Sequence, residues 1–252
     1  RLHHLFTICC ALVLFISPAT PSTSTTLAIR LPNSILLAST TTQTQSITIL
    51  SNKRKSIYKL TPHVLMSINS DGERAVGDSE SLLGEVFRAC LVAKGGFLND
   101  NNEQRCNGEK ENHLNSCAIA HIARRRIWES LRSRDRLLVK AIVGGMDVGD
   151  DEGGEERERV PKIHYLDDTG SKVSNVPFAC HGLGSNFLLG HLDVKWEEGM
   201  SEREGVALVK SCFEELRERF VLNNKNNVDL FCIDKDGVRR IALDNNSNTV
   251  VK

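Results

Sequence analysis

Strand-like and helix-like stretches come in blocks along this chain, and their order constrains the fold more than any single motif. Leu27–Leu31 and Ile35–Ala38 flank Pro32-Asn33 as the two arms of a hairpin. Ser46–Leu50 alternates, with Ile47 and Ile49 on one face, and Ile57–Leu60 and Val64–Ile68 flank the turn signal Thr61-Pro62. A helical pattern follows, with Leu82, Leu83, Val86, Phe87, Cys90 and Leu91 spaced for one apolar face and Gly95-Gly96 at its C-terminal end. After a polar loop at 99–112, a second helix is expected to start near Asn115-Ser116. It runs through Ile119, Ile122, Ile127 and Leu131. Its basic run, Arg124 to Arg126, reads as a solvated face and not as a nucleic-acid site.

Strands then return. Leu137–Val143, closed by Gly144-Gly145, and Lys162–Leu166 lie on either side of a charged loop, Asp147 to Arg159. Phe187–Leu192 predicts a short helix. A longer one opens with the capping box Ser201-Glu202-Arg203-Glu204, in which serine and glutamate satisfy each other's backbone N–H groups. Its apolar stripe is Val206, Val209, Phe213, Leu216 and Phe220. Val228–Ile233 and Val238–Ala242, joined by the turn Asp234-Lys235-Asp236-Gly237, form the last hairpin. Strands, two helices, strands, two helices, strands is the order of an α+β fold, and two sheets sandwiched between helix pairs fit it.

Composition narrows the function. At 252 residues the chain makes one large domain or two small ones. Its 32 Lys+Arg balance 32 Asp+Glu, so no global charge draws it to nucleic acid or an anionic membrane. With 40% hydrophobic and 25% charged residues it is ordinary globular material, which excludes disorder of the whole chain. The eight cysteines contain no C-x-x-C, so neither a zinc ribbon nor a thioredoxin-type site is indicated. Cys212 and Cys232 sit in apolar patterns and read as small buried hydrophobes, and the set as a whole as reduced, structural thiols.

The beginning of the chain is a separate question. Leu5 to Ile16 is an apolar run too short to span a bilayer but of signal-peptide length, with Arg1, His3 and His4 before it and Ser17 and Ala19 after it. It reads as a secretory or organelle signal, or else as a gene-model extension or cleaved propeptide. Residues 18–26 read as a linker.

No self-contained active site emerges from the residues. G-x-S-x-G is absent, so there is no nucleophile elbow. His181-Gly182-Leu183-Gly184-Ser185 is glycine-rich without being a dinucleotide fingerprint, and its glycines read as a tight turn with close packing. His113, His121, His164, His181 and His191 share no metal-ligand spacing and read as structural. Asp150, Asp151, Glu152 and Glu155 lack the calcium-loop order. No metal or cofactor is expected.

Seven stretches do carry a resemblance, in order and spacing: Leu27–Ser39, Leu60–Ser67, Leu131–Arg134, Ile163–Asp167, Pro177–Gly182, Glu214–Asn223 and Ile233–Val238. Together they resemble the beta-type subunits of the proteasome, of the N-terminal-nucleophile hydrolase fold. The likeness is nearest to the non-catalytic subunit at the fourth position of the beta ring, beta type 2. The resemblance implies a four-layer αββα sandwich over residues 24–243, with an apolar extension and linker at 1–23 and a polar tail at 244–252.

Active members of that family attack with an N-terminal threonine, aided by its own amino group, a lysine, aspartates, a serine and an oxyanion glycine. Carried over by spacing, the nucleophile position falls at Ser24, just before Thr25-Thr26, and the first aspartate at Thr40. The lysine falls at Ser56, beside Lys55, and the oxyanion glycine at Ser70. The supporting serine falls at Leu183, and the second aspartate and its serine at Val221 and Asn224. Leucine and valine cannot hydrogen-bond through their side chains, so the implied subunit is not an enzyme. It would complete a beta ring for ubiquitin-dependent and other proteasomal degradation in cytoplasm and nucleus. Its partners would be alpha and beta subunits in stacked seven-membered rings, with no nucleic acid, and no membrane unless the N-terminal segment is a real signal.

Two rivals differ in class: an active threonine-type endopeptidase with Thr25 or Thr26 exposed by processing, and a secreted or organelle protein that keeps the fold. The sequence departs from the family where Asn69-Ser-Asp-Gly-Glu-Arg74 replaces a Gly-Glu-x-Gly-Asp segment, with Gly77-Asp78 as its displaced end. It departs again in longer loops at 99–112 and 148–160 and in the apolar N-terminal extension.

Overall fold

The computed structural model describes residues 24–45, 48–51, 53–70, 75–94, 113–149, 158–219, 228–242 and 250–251. The apolar run at 5–16, the first residues of Ser46–Leu50, Gly95-Gly96, the 99–112 loop, the acids at 150–155, Phe220, Val221 and Asn224 lie outside them.

The first strands are β1 (Thr26–Arg30), β2 (Ile35–Thr40), β3 (Gln43–Gln45), β4 (Thr48–Ser51), β5 (Ile57–Thr61) and β6 (Val64–Ser70). Helices α1 (Ala75–Ala93) and α2 (Ser116–Ser130) follow, then β7 (Val139–Val148), β8 (Arg159–Leu166), β9 (Lys172–Ser174) and β10 (Phe178–His181). Helices α3 (Ser185–Lys195) and α4 (Glu202–Arg219) precede β11 (Val228–Asp234), β12 (Gly237–Ile241) and β13 (Val250–Val251). One sheet has the order β10-β1-β2-β11-β12-β13, the other β5-β6-β7-β8-β9, and β3-β4 form a separate hairpin. Every pairing among these described strands is antiparallel.

The period of two along each strand sorts its side chains between two cores. Leu27, Ile29 and Leu36 point to the helix pair α3/α4 and pack with Leu188, Leu192, Val209, Cys212 and Leu216. Met66, Ile68, Val139, Ala141 and Val143 of the other sheet meet Leu82, Val86, Ile119, Ala123 and Ile127 of α1 and α2. Between the sheets, Ala28, Ile35 and Leu37 pack against Leu65, Ile142, Met146 and Ile163. The layers are therefore helices, sheet, sheet, helices, the αββα sandwich expected from the sequence. Among the described residues no helix is long and apolar enough to cross a membrane.

The caps are where the sequence put them. Asn115 Oδ1 accepts from Ala118 N at 2.8 Å. Ser201 and Glu204 bond reciprocally, Ser201 N to Glu204 Oε2 at 2.8 Å and Glu204 N to Ser201 Oγ at 3.4 Å. The basic run of α2 is engaged locally: Arg124 Nε donates to Gly170 O, Arg125 pairs with Glu129, and Arg126 with Glu85.

Several boundaries differ from the sequence expectation. Thr26 begins a strand, and Ser24 and Thr25 are buried rather than part of a linker. Helix α1 begins at Ala75, well before Leu82. Strands β3, β9 and β10 were not expected, and Val250–Val251 pair with β12 instead of trailing as tail. Asp147, Val148 and Arg159 belong to strands, not to the charged loop. Along α4, Leu208 and Cys212 are buried where Val206 is only partly so.

Strand β7 also runs straight through Gly144-Gly145. The glycines serve packing there. A Cβ on Gly145 would lie 2.7 Å from Ser116 Cβ, so its absence lets α2 settle on the sheet; one on Gly144 would lie 3.3 Å from Ile35 Cγ2 of the facing sheet.

Candidate functional site

Polar residues gather where β1 begins. Ser24, Thr25 and Thr26 are buried, and buried polar groups need partners. Thr25 N donates to Thr40 Oγ1 at 2.9 Å, and Thr40 N donates to Thr25 O at 3.0 Å. Thr26 Oγ1 donates to Ser39 Oγ at 2.8 Å. Ser24 reaches across to the second sheet: its Oγ donates to Asn69 Oδ1 at 2.7 Å, and Asn69 Nδ2 donates back to Ser24 O at 3.1 Å.

The glycine-rich turn closes over this cluster. Gly184 N donates to Thr25 Oγ1 at 3.2 Å. Gly182 has φ +101°, and a Cβ on it would lie 2.0 Å from Ser24 O. A Cβ on Gly184 would lie 2.3 Å from Leu216 Cδ2. Both glycines serve the tight turn and close packing read from the sequence. Beneath them His181 Nε2 lies 3.0 Å from Ser67 Oγ, a contact between the two sheets. Complete burial drives the His181 pKa down to about 3, so this imidazole is neutral.

The structure brings some of the resemblance-derived positions together. Ser24 and Thr40 meet through Thr25, and Leu183 lies between the two glycines that close on Ser24 and Thr25. Ser70 bonds Ser79 of α1, oxygen to oxygen, at 2.7 Å. Ser56 is buried, its carbonyl accepting from Ile68 N at 3.0 Å, while its Oγ has no hydrogen-bond partner. Lys55 faces solvent, its Nζ 5.4 Å from the centre of the Tyr58 ring. Asn69 is the residue that sequence reasoning missed as a site member. Its only sign was a polar side chain at an inward position of an apolar strand.

Ser24 Oγ thus meets an amide oxygen, Thr25 N a hydroxyl, and Thr25 Oγ1 the Gly184 N–H. A hydroxyl nucleophile needs a base or a nearby cation to raise its reactivity. An amide oxygen is no base, and Lys55 is turned to its tyrosine.

A second buried trio has the residue types of a hydrolase but not the wiring. Ser116 N and Oγ both donate to Asp147, at 2.7 and 2.8 Å, and Ser116 Oγ lies 3.1 Å from His164 Nε2. Ser116 has given its one proton to the carboxylate, so His164 Nε2 must be the donor. The histidine therefore holds the hydroxyl and cannot deprotonate it. Asp147 instead anchors the positive end of α2. Burial, foremost, lowers the His164 pKa. Among the described residues no group of three His, Cys, Asp or Glu is arranged to hold a metal ion. Burial pushes the Cys212 and Cys232 thiols up to about 12, the behaviour of inert core cysteines.

Comparison with known proteins gives consistent matches. The sequence model of the family described as "Proteasome subunit" matches residues 89–233. "Proteasome subunit beta type-4" of Saccharomyces cerevisiae is 26% identical over 215 residues, 85% of this chain and 95% of that protein. "Proteasome subunit beta type-2" of Trypanosoma brucei brucei is 33% identical over 129 residues, 51% of this chain and 61% of that protein. Its namesake in Caenorhabditis elegans is 32% identical over 126 residues, 50% of this chain and 58% of that protein.

Proposed function

The chain belongs to the proteasome subunit family, as one of its beta-type subunits, and from that premise we propose that it is a non-catalytic structural subunit of the proteasome core particle. In this reading residues 24–243 form the subunit domain. It completes a beta ring, meets alpha and beta neighbours, and helps enclose the chamber in which ubiquitin-tagged and other proteins are degraded. It works in cytoplasm and nucleus. Burial of apolar surface against neighbours in a closed ring would stabilise the folded subunit by mass action.

The observation that carries the non-catalytic part is the Ser24 cluster. The nucleophile position is buried and bonded to an amide, Thr40 stands where an acid is required, and the lysine next to Ser56 faces outward. Leu183, beside the closing glycines, adds no hydrogen-bonding side chain.

The test has two parts. The full chain, tagged and purified from its native cells, is expected in a ring-sized species with a complete set of alpha and beta subunits. Recovery alone in a small species would sink the ring reading. Core particles carrying Ser24→Ala or Thr25→Val are expected to keep every peptidase activity of the parent. Loss of any one of them in assembled particles would make the chain an active peptidase.

A further inference from the structure

Ahead of β5 the exposure alternates: Lys53 and Lys55 lie in solvent, while Arg54 turns inward and Ser56 is 5% exposed. The backbone here is held on both sides. Arg54 N donates to Thr41 O at 2.8 Å, and Ser56 O accepts from Ile68 N at 3.0 Å. Two donors on this inward face have no hydrogen-bond partner, Arg54 Nη1 and Ser56 Oγ, and both atoms are buried. Among the described residues Arg54 makes no ion pair. Tyr58 Oη donates to Lys55 O at 2.9 Å, which folds its ring back toward the Arg54–Ser56 segment. The Arg54 guanidinium lies within electrostatic range of that phenol, as does Glu80, exposed on α1. Burial outweighs the tyrosine and lowers the Arg54 pKa, as for a cation short of a counter-charge.

Buried donors are almost always paired in native proteins, and a buried N–H of a charged group most of all. A hydroxyl and a guanidinium N–H presented from one fixed segment form a fork for an oxyanion. Lys53 and Lys55, flanking them, add positive potential that favours the same ligand. We propose that Arg54 and Ser56 form an oxyanion-binding site that takes one carboxylate or phosphate group, bound by Arg54 Nη1 and Ser56 Oγ together. The site needs no chemistry at Ser24 and stands apart from the question of ring membership.

The test is thermal unfolding of the full chain at constant ionic strength, with inorganic phosphate or acetate replacing chloride. A saturable rise in Tm is expected. Phosphate acting alone identifies a phosphate group, acetate acting alone a carboxylate, and both acting a general oxyanion site. Arg54→Met is expected to abolish the rise. Ser56→Ala, a small change that preserves the fold, is expected to weaken half-saturation by about tenfold, the loss of one hydrogen bond to a charged ligand. The proposal fails if neither anion moves Tm beyond the chloride control. It fails equally if Ser56→Ala and Arg54→Met respond as strongly as the parent.

Discussion

At the scale of single residues, Gly182 carries the tightest constraint. Its φ of +101° disfavours any other residue, and a side chain there would collide with the Ser24 carbonyl at 2.0 Å. Gly190, in the middle of α3, has nothing within 4 Å of its missing Cβ. The two should respond oppositely to alanine. Gly182→Ala is expected to destabilise by about 2–5 kcal/mol, through strain and overpacking. Gly190→Ala is expected to stabilise by up to about 1 kcal/mol through helix propensity. Urea midpoints at constant m-value measure both. The sequence shows a glycine-rich turn at 181–185, but not the carbonyl it must clear, because that carbonyl is far away in the chain. The Ser24–Asn69 bond is hidden for the same reason. The choice between Lys55 and Ser56 rests on which way each side chain turns in the segment before β5, and a charged run such as 53–55 has no apolar rhythm to reveal it.

At the scale of elements, caps and periodicity made most of the structure legible. Helix α2 is the plainest case: Asn115 caps it and Ile119 and Ile127 of the expected stripe are buried, though Ile122 is only partly so, Ala123 takes its place, and Leu131 is exposed past the helix end. Asn115→Ala is expected to remove about 1 kcal/mol of unfolding free energy by freeing the first-turn N–H groups. Chemical denaturation reads this directly, and Asn115→Ser should restore most of it. The elements that escaped the sequence lack a period. Strand β3 is Gln-Thr-Gln, β9 is a three-residue edge with two exposed positions, and β10 has only four residues. Gly144-Gly145 misled differently. Glycine ordinarily interrupts a strand, and here it continues one because both faces of β7 are crowded.

At the scale of the molecule, two neutral histidines tie layers together, His181 between the sheets and His164 between α2 and the second sheet. Both have native pKa values below the ordinary 6.5, His181 at about 3. The unfolded chain therefore binds more protons than the native one once pH falls below about 6.5, and stability drops from there toward the native pKa. For His181 the loss at pH 5 is expected to be about 2 kcal/mol relative to neutral pH, with His164 adding to it. Urea unfolding at pH 7 and pH 5 measures the loss, and His181→Gln should flatten that part of the profile. The chain's two tryptophans, Trp128 on α2 and Trp196 at the end of α3, report the two helical layers separately.

The sheet order has a consequence for how the molecule is made. The five-stranded sheet and its two helices come from one continuous stretch, 57–174, while the other sheet gathers β1 and β2, then β10, then β11 and β12. A ribosome therefore delivers one half of the sandwich whole while the other is still a lone hairpin, with Leu27, Ile29 and Leu36 uncovered until α3 and α4 emerge. Synthesis interrupted before α3 leaves a nascent chain with a finished half and a greasy one, the kind of intermediate that chaperones hold.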